Sequence, residues 1–255
     1  MKEIVNELRK TTVDLFPNRH DSRMIAGVIS LTIFISVSEL LLAHFFSILI
    51  LPDNPRTTKE IMALGALFLI LFSLLRLISF GKEHFKLNTF ETSLNRNSGI
   101  NQVSDSWKWA TAMELTSLLT MTGKLLFISG LLFFFSPIFA ISNLAIGLCI
   151  FQILSYRLRD QFKSQEEFRL KQLSKKPVAN SEKVRTRIIA GEIGSLISSA
   201  GLIVLLGVLL LLYVEEEINA AKAFVLFIAI RMIGQIYSGF SSGLMRFARA
   251  RVLSE

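Results

Sequence analysis

The sequence predicts an all-α, polytopic membrane protein of six transmembrane helices with cytoplasmic helical extensions. Of the 255 residues, 51% are hydrophobic and 21 are phenylalanine, which is too apolar for one water-soluble core of this size. Six apolar runs reach the roughly 20 residues that a helix needs to cross a bilayer. Lysine and arginine lie mostly between these runs, on alternate loops. Together these observations make the lipid bilayer the expected solvent of a single transmembrane domain.

The six apolar runs define the predicted spans. They cover residues 24–51, 61–80, 112–135, 138–155, 188–213 and 223–240. Only Ser136 and Pro137 separate the third run from the fourth, and together these runs exceed the thickness of a bilayer. We therefore expect a tight hairpin at this serine and proline.

Residues 1–23 are predicted to form a cytoplasmic interfacial helix and a linker. One helical face of this segment gathers five apolar side chains, with lysine and glutamate opposite: Ile4, Val5, Leu8, Leu15 and Phe16. Such an amphipathic helix is expected to lie along the inner membrane surface.

The distribution of positive charge predicts the orientation. Twenty-two lysines and arginines lie in the N-terminal segment, the two long loops and the C-terminal tail, against three in the alternate loops. Because cytoplasmic loops carry the excess of positive charge, both termini are expected in the cytoplasm. The net charge of +8 is thereby explained by topology, and nucleic-acid binding is not expected. The expected location is the cell membrane, most naturally a bacterial inner membrane.

Three charged residues near the middle of predicted spans are the first functional candidates. They are Glu39 in span one, Lys124 in span three and Arg231 in span six, with His44 about one turn beyond Glu39. A charge in the bilayer is costly unless it is paired or hydrated. One interpretation is a structural pair of Glu39 with Lys124 or Arg231 that sets helix register. The other is a water-filled cavity whose net positive centre attracts an anionic or lipid-headgroup substrate.

The fifth span carries small residues at helical spacing. Gly191, Ser195 and Ser199 recur every four residues, with Gly194 and Ser198 beside them. Small side chains at this spacing let helices approach closely, so this pattern predicts helix packing and no chemistry.

Motifs of catalysis are missing from the sequence. It contains no phosphate-binding loop, zinc-protease motif or nucleophile elbow, so neither intrinsic ATPase nor hydrolase activity is expected. The three histidines are scattered and Cys149 is the single cysteine, which argues against a zinc site. We expect no directly bound cofactor or metal, and whether the chain belongs to an enzyme stays open.

Three stretches resemble the transmembrane domain of ATP-binding-cassette exporters, in particular the lipid and polysaccharide flippase branch. The interfacial helix followed by residues 35–41, with Glu39 in mid-helix, and then by residues 49–52 is similar to the first span of that branch. The hairpin at Ser136 and Pro137 looks like its tight external turn. Residues 201–251, with an acidic loop at 215–217, resemble its last two spans.

The resemblance implies partners that this chain does not contain. In such exporters the cytoplasmic extensions receive an ATPase, but residues 81–111 and 156–187 are shorter than the family pattern, and no fused ATPase is expected after Glu255. ATP would then act through a separate subunit. The turns expected to contact it contain Asn97, Gly99, Lys175, Lys176 and Pro177.

Two functions follow as hypotheses. The first is a transporter subunit that moves a lipid-linked, glycolipid or peptide-like substrate and uses a separately encoded ATPase. It would work in membrane lipid as a homodimer or as a heterodimer with a similar chain. The second is a non-transporting membrane scaffold that recruits a partner through its cytoplasmic hairpins.

Overall fold

Seven α-helices make up the structure, a computed structural model that describes residues 2–16, 19–51, 57–95, 102–174 and 180–254. No strand occurs in those ranges. In chain order the helices are α1 (Lys2–Leu15), α2 (Arg19–Ile50), α3 (Thr58–Asn95), α4 (Gln102–Phe135), α5 (Pro137–Leu173), α6 (Asn180–Val214) and α7 (Ala220–Ser254). Helices α2 to α7 are each long and apolar enough to cross a membrane. The all-α class and the six apolar helices are thus confirmed, and the chain has the character of a multi-pass membrane protein.

Side chains at the helix starts explain several boundaries. Thr57 and Glu60 form a capping box at α3, in which Glu60 accepts the amide of Thr57 at 3.2 Å and Thr57 accepts that of Glu60 at 3.4 Å. Asn219 accepts the amide of Lys222 at 2.9 Å at the start of α7.

The predicted hairpin between the third and fourth spans is present. Helix α4 ends at Phe135, Ser136 alone is non-helical, and α5 begins at Pro137. Ser136 Oγ accepts the amide of Phe139 at 3.3 Å, while proline suits the first helical position because that residue needs no amide donor. The two helices then pack side by side.

Helix α7 is the centre of the bundle. It packs against α2, α4, α5 and α6, whereas α3 packs mainly on α2 at the edge. Near the start of α7, Ser47 of α2 donates a hydrogen bond to the carbonyl of Ala221 at 2.8 Å. Near its other end, Arg246 donates to Glu114 of α4 at 2.6 Å. These contacts fix α7 against two neighbours at opposite ends of the bundle.

The packing of α6 on α7 depends on small residues. Gly194 faces Ser241 so closely that a Cβ atom at position 194 would overlap the serine side chain. Ser198, one turn later, is buried, whereas Ser195 and Ser199 are exposed. The packing face therefore runs through Gly194 and Ser198, beside the row at four-residue spacing.

Candidate functional site

Two of the candidate charges lie near each other in the bundle. Lys124 is half-buried on α4, and Glu39, exposed on α2, acts on it electrostatically. Lys82 of α3 is a second cation close to Lys124 and forms an ion pair with the neighbouring Glu83 at 2.9 Å. Neither Glu39 nor Lys124 has an opposite charge within 4 Å among the residues that the structure describes. This group is a loose cluster of charges.

Arg231 has an exposed side chain on α7. The charges that act on Lys124 are those of Lys82 and Glu39. The structure thus brings Glu39 and Lys124 into one neighbourhood. No ion pair of Arg231 occurs in the described part of the chain.

His44 belongs to a third environment. Its ring meets the ring of Phe135 edge-on, with centroids 4.8 Å apart. The Nδ1 atom is buried and has no hydrogen-bond partner, while Lys222 at the start of α7 acts on the ring electrostatically. The histidine therefore packs near the α4–α5 hairpin and does not join Glu39.

The predicted docking residues cannot be placed. Asn97, Gly99, Lys175, Lys176 and Pro177 all lie outside the described residues. Among the residues that the structure describes, no three histidine, cysteine or carboxylate side chains are arranged to hold a metal ion.

A cavity of about 450 Å³ lies between α1, α4, α5 and α7. Its volume is within the range of roughly 300 to 1,000 Å³ that is typical of small-molecule sites. Most of its lining is aliphatic or aromatic, and the apolar residues are Leu8, Leu119, Leu125, Leu126, Leu144, Leu148, Phe151 and Phe240. A pocket of this chemistry accepts hydrocarbon.

Three buried polar side chains form a connected chain in the cavity wall. Asn143 of α5 donates a hydrogen bond to the hydroxyl of Ser129 on α4 at 2.8 Å. The hydroxyl of Tyr237 on α7 donates to the amide oxygen of Asn143 at 3.4 Å. Each residue is no more than 2% exposed. Such bonds hold transmembrane helices together, because an apolar surrounding offers these groups no other partner.

Helix α1 closes one side of the cavity. It contacts α4 and α5, and Leu8, Arg9 and Thr12 contribute to the lining. Its Asp14 forms an ion pair with Arg251, near the end of α7, at 2.9 Å. The apolar face predicted for this segment is therefore turned toward the bundle at Leu8 and Phe16, both buried. An orientation along the membrane surface stays a prediction.

Reasoning from the sequence missed the cavity. The available signal was Asn143, an amide within the fourth predicted span, where polar groups are rare and usually face the bundle. Ser129 and Tyr237 carry weaker signals, since single hydroxyl groups are common in membrane helices. Nothing in the local pattern of residues 1–16 indicates that this segment forms a wall.

No protein-family model matches the chain, and no curated protein matches it either. The exporter resemblance therefore depends on the three stretches described above.

Proposed function

We propose that the chain is the membrane-spanning subunit of a transporter, and that the cavity between α1, α4, α5 and α7 receives its substrate. The observation that carries this proposal is an apolar pocket of about 450 Å³ lined by α1 and by three helices long enough to cross a membrane. The pocket is open on one side, where Leu126 and Leu148 are exposed. A pocket between helices is a usual place for a ligand.

Energy for transport would come from another polypeptide. The sequence contains no phosphate-binding loop, and the resemblance to exporters implies an ATPase that docks on the cytoplasmic extensions. The cavity reaches α1, which is tied to the cytoplasmic end of α7 by the pair of Asp14 and Arg251 in the predicted orientation. Movement of that end would change the wall of the cavity, as alternating access requires.

The direct test is to isolate the tagged chain from native membranes in a mild detergent and to identify its partners by mass spectrometry. A stoichiometric ATPase whose hydrolysis responds to an apolar substrate is the expected result. Recovery of the chain without any ATPase would contradict ATP-driven transport.

The charged cluster supplies a second test. We expect Lys124→Leu to reduce substrate movement at least about tenfold while the chain still assembles, because an ionisable side chain within a membrane span commonly marks a substrate or ion pathway. The measurement is transport in proteoliposomes, with co-purification of the ATPase as the assembly control. Lys82→Leu is the matched variant, since Lys82 already has Glu83 as a partner. Unchanged transport by Lys124→Leu would remove this residue from the mechanism.

A membrane scaffold remains the second candidate, and α3 favours it. This helix packs mainly on α2, and its most apolar stretch is not buried at all. Large side chains such as Met62, Leu77 and Phe80 are more than two-thirds exposed. A surface of this kind suits lipid or another membrane protein. Photo-crosslinking from position 77 shows whether lipid or a protein covers this surface. A protein adduct supports the scaffold, and a lipid adduct argues against it.

A further inference from the structure

We propose that the cavity binds a single-chain anionic amphiphile, and that Arg9 recognises its head group. The inference rests on the proposed function, since it names the substrate class of the same site. The ligand has one long hydrocarbon chain and a carboxylate or phosphate at one end.

The walls select for hydrocarbon. The lining includes Leu119 and Leu125 of α4, Leu148 and Phe151 of α5, and Phe240 of α7. The polar members of the α4, α5 and α7 walls are largely engaged: Ser129, Asn143 and Tyr237 hydrogen-bond to one another, and Thr122 donates to the carbonyl of Leu118 at 2.9 Å. The interior therefore presents mainly apolar surface, which favours an alkyl chain over a sugar or a peptide.

The pocket is open on one side, and its volume favours a ligand with a single chain. About 450 Å³ lies in the lower half of the range of roughly 300 to 1,000 Å³ for ligand sites. A diacyl lipid would need space for two chains and a glycerol. One chain is the better fit.

The exposed edge of the cavity carries a positive charge. Arg9 lines the cavity beside the buried Leu8, and its own side chain is exposed. No acidic residue is among the lining residues that the structure describes, and no carboxylate of this described part lies within 4 Å of the Arg9 guanidinium. A guanidinium binds carboxylate or phosphate through two parallel hydrogen bonds. An anionic head at Arg9 with its chain in the cavity satisfies both parts of the site.

The chain offers a matched control for this charge. Lys10 is adjacent to Arg9, equally cationic and also exposed, but it does not line the cavity. Arg9→Gln and Lys10→Gln therefore change the net charge by the same amount, and only the first changes the proposed site.

The test measures binding of radiolabelled oleate to the purified full-length chain in detergent, without any ATPase. We expect saturable binding, competition by unlabelled oleate or by monooleoyl phosphatidate, and competition about tenfold weaker by oleyl alcohol, which has the same chain and no charge. Arg9→Gln should weaken oleate binding about tenfold, and Lys10→Gln should leave it within about twofold. The ranking of oleate against the phosphate identifies the head group.

A second pair of variants tests the cavity without touching the charge. Leu126→Trp places a large ring in the lining, at a residue that is 62% exposed and so tolerant of substitution. Leu77→Trp on α3 makes the same change outside the cavity, at 72% exposure. We expect only Leu126→Trp to weaken oleate binding, again about tenfold.

Three results would overturn the proposal: no saturable oleate binding, equal competition by oleyl alcohol, or equal effects of the Arg9 and Lys10 variants. Failure of the proposed function is a separate outcome. An absent ATPase partner would refute ATP-driven transport and would leave the binding measurements unchanged.

Discussion

In water-soluble proteins the more hydrophobic of two helices is usually the more deeply buried. Helices α3 and α7 show the opposite order. Helix α3 has the higher mean hydropathy of the two, yet none of its most apolar stretch is buried inside the protein. Helix α7 is less apolar, and half of the corresponding stretch is buried. The more hydrophobic helix is thus at the edge and the less hydrophobic one is at the centre.

The difference shows which interactions hold this bundle together. A lipid chain is as apolar as leucine, so contact between two leucines in the membrane gains little. Close packing and hydrogen bonds between helices supply the stabilisation, and α7 carries both in Gly234, Tyr237 and Ser241. Helix α3, the longest helix of the bundle, packs mainly on a single neighbour, α2.

The largest difference in the free energy of unfolding between matched variants of α7 and α3 is expected for aromatic side chains. Tyr237→Ala removes a ring that is 1% exposed and should lower the free energy of unfolding by roughly 3 kcal/mol. This is the lower end of the range for such changes, because the usual cost includes a term for transfer from water that is small for a helix in lipid. Phe80→Ala on α3, at 83% exposure, should change it by less than about 0.5 kcal/mol. Reversible unfolding in mixed micelles measures both. Equal losses would mean that α3 is as well packed as α7.

Substitution of glycines is expected to give a difference of intermediate size in the free energy of unfolding. A Cβ atom at Gly194 would overlap Ser241, so Gly194→Ala should destabilise the bundle by about 1 to 3 kcal/mol. No atom lies within 4 Å of the corresponding position at Gly65 of α3, and Gly65→Ala should stabilise its helix by up to about 1 kcal/mol. Opposite signs in the same unfolding assay are the expected result. Destabilisation by the α3 variant would reveal a contact at that face.

The smallest contrast is expected for ion pairs. Glu114→Gln weakens the contact with Arg246, which is half exposed, and should cost about 0.2 to 1 kcal/mol. Glu83→Gln weakens a pair between adjacent residues of one helix, which joins no two helices and should cost nearly nothing in bundle stability. Both values should fall at high salt because exposed pairs are screened. A cost well above 1 kcal/mol for Glu114→Gln would show that the pair is effectively buried.

Sequence patterns predicted the helices of this protein well and its internal contacts poorly. Length and hydropathy define each apolar helix, and serine followed by proline defines the hairpin, because both depend on local chemistry. The depth of Glu39, Lys124 and Arg231 also follows from position along each helix. Their direction around the helix depends on which neighbour is packed where. Glu39 and Lys124 come near each other for that reason.

The cavity lies beyond sequence reasoning for a related reason. Tyr237 and Asn143 are 94 residues apart, and only the packing of α5 against α7 brings them together. The ion pair between α1 and α7 likewise joins Asp14 and Arg251, which are 237 residues apart. Neither distance leaves a local pattern. The apolar face of α1 was visible in the sequence, but a membrane surface and a bundle surface attract such a face equally.

The residues of the hydrogen-bonded chain, Ser129, Asn143 and Tyr237, are synthesised at different times. Ser129 and Asn143 belong to consecutive helices and emerge from the ribosome almost together. Tyr237 follows 94 residues later, which at about 5 to 20 residues per second is roughly 5 to 19 seconds. Until α7 is made, the amide oxygen of Asn143 lacks its tyrosine and the cavity lacks one wall. The α7 side of the cavity is therefore closed only after this helix has been made.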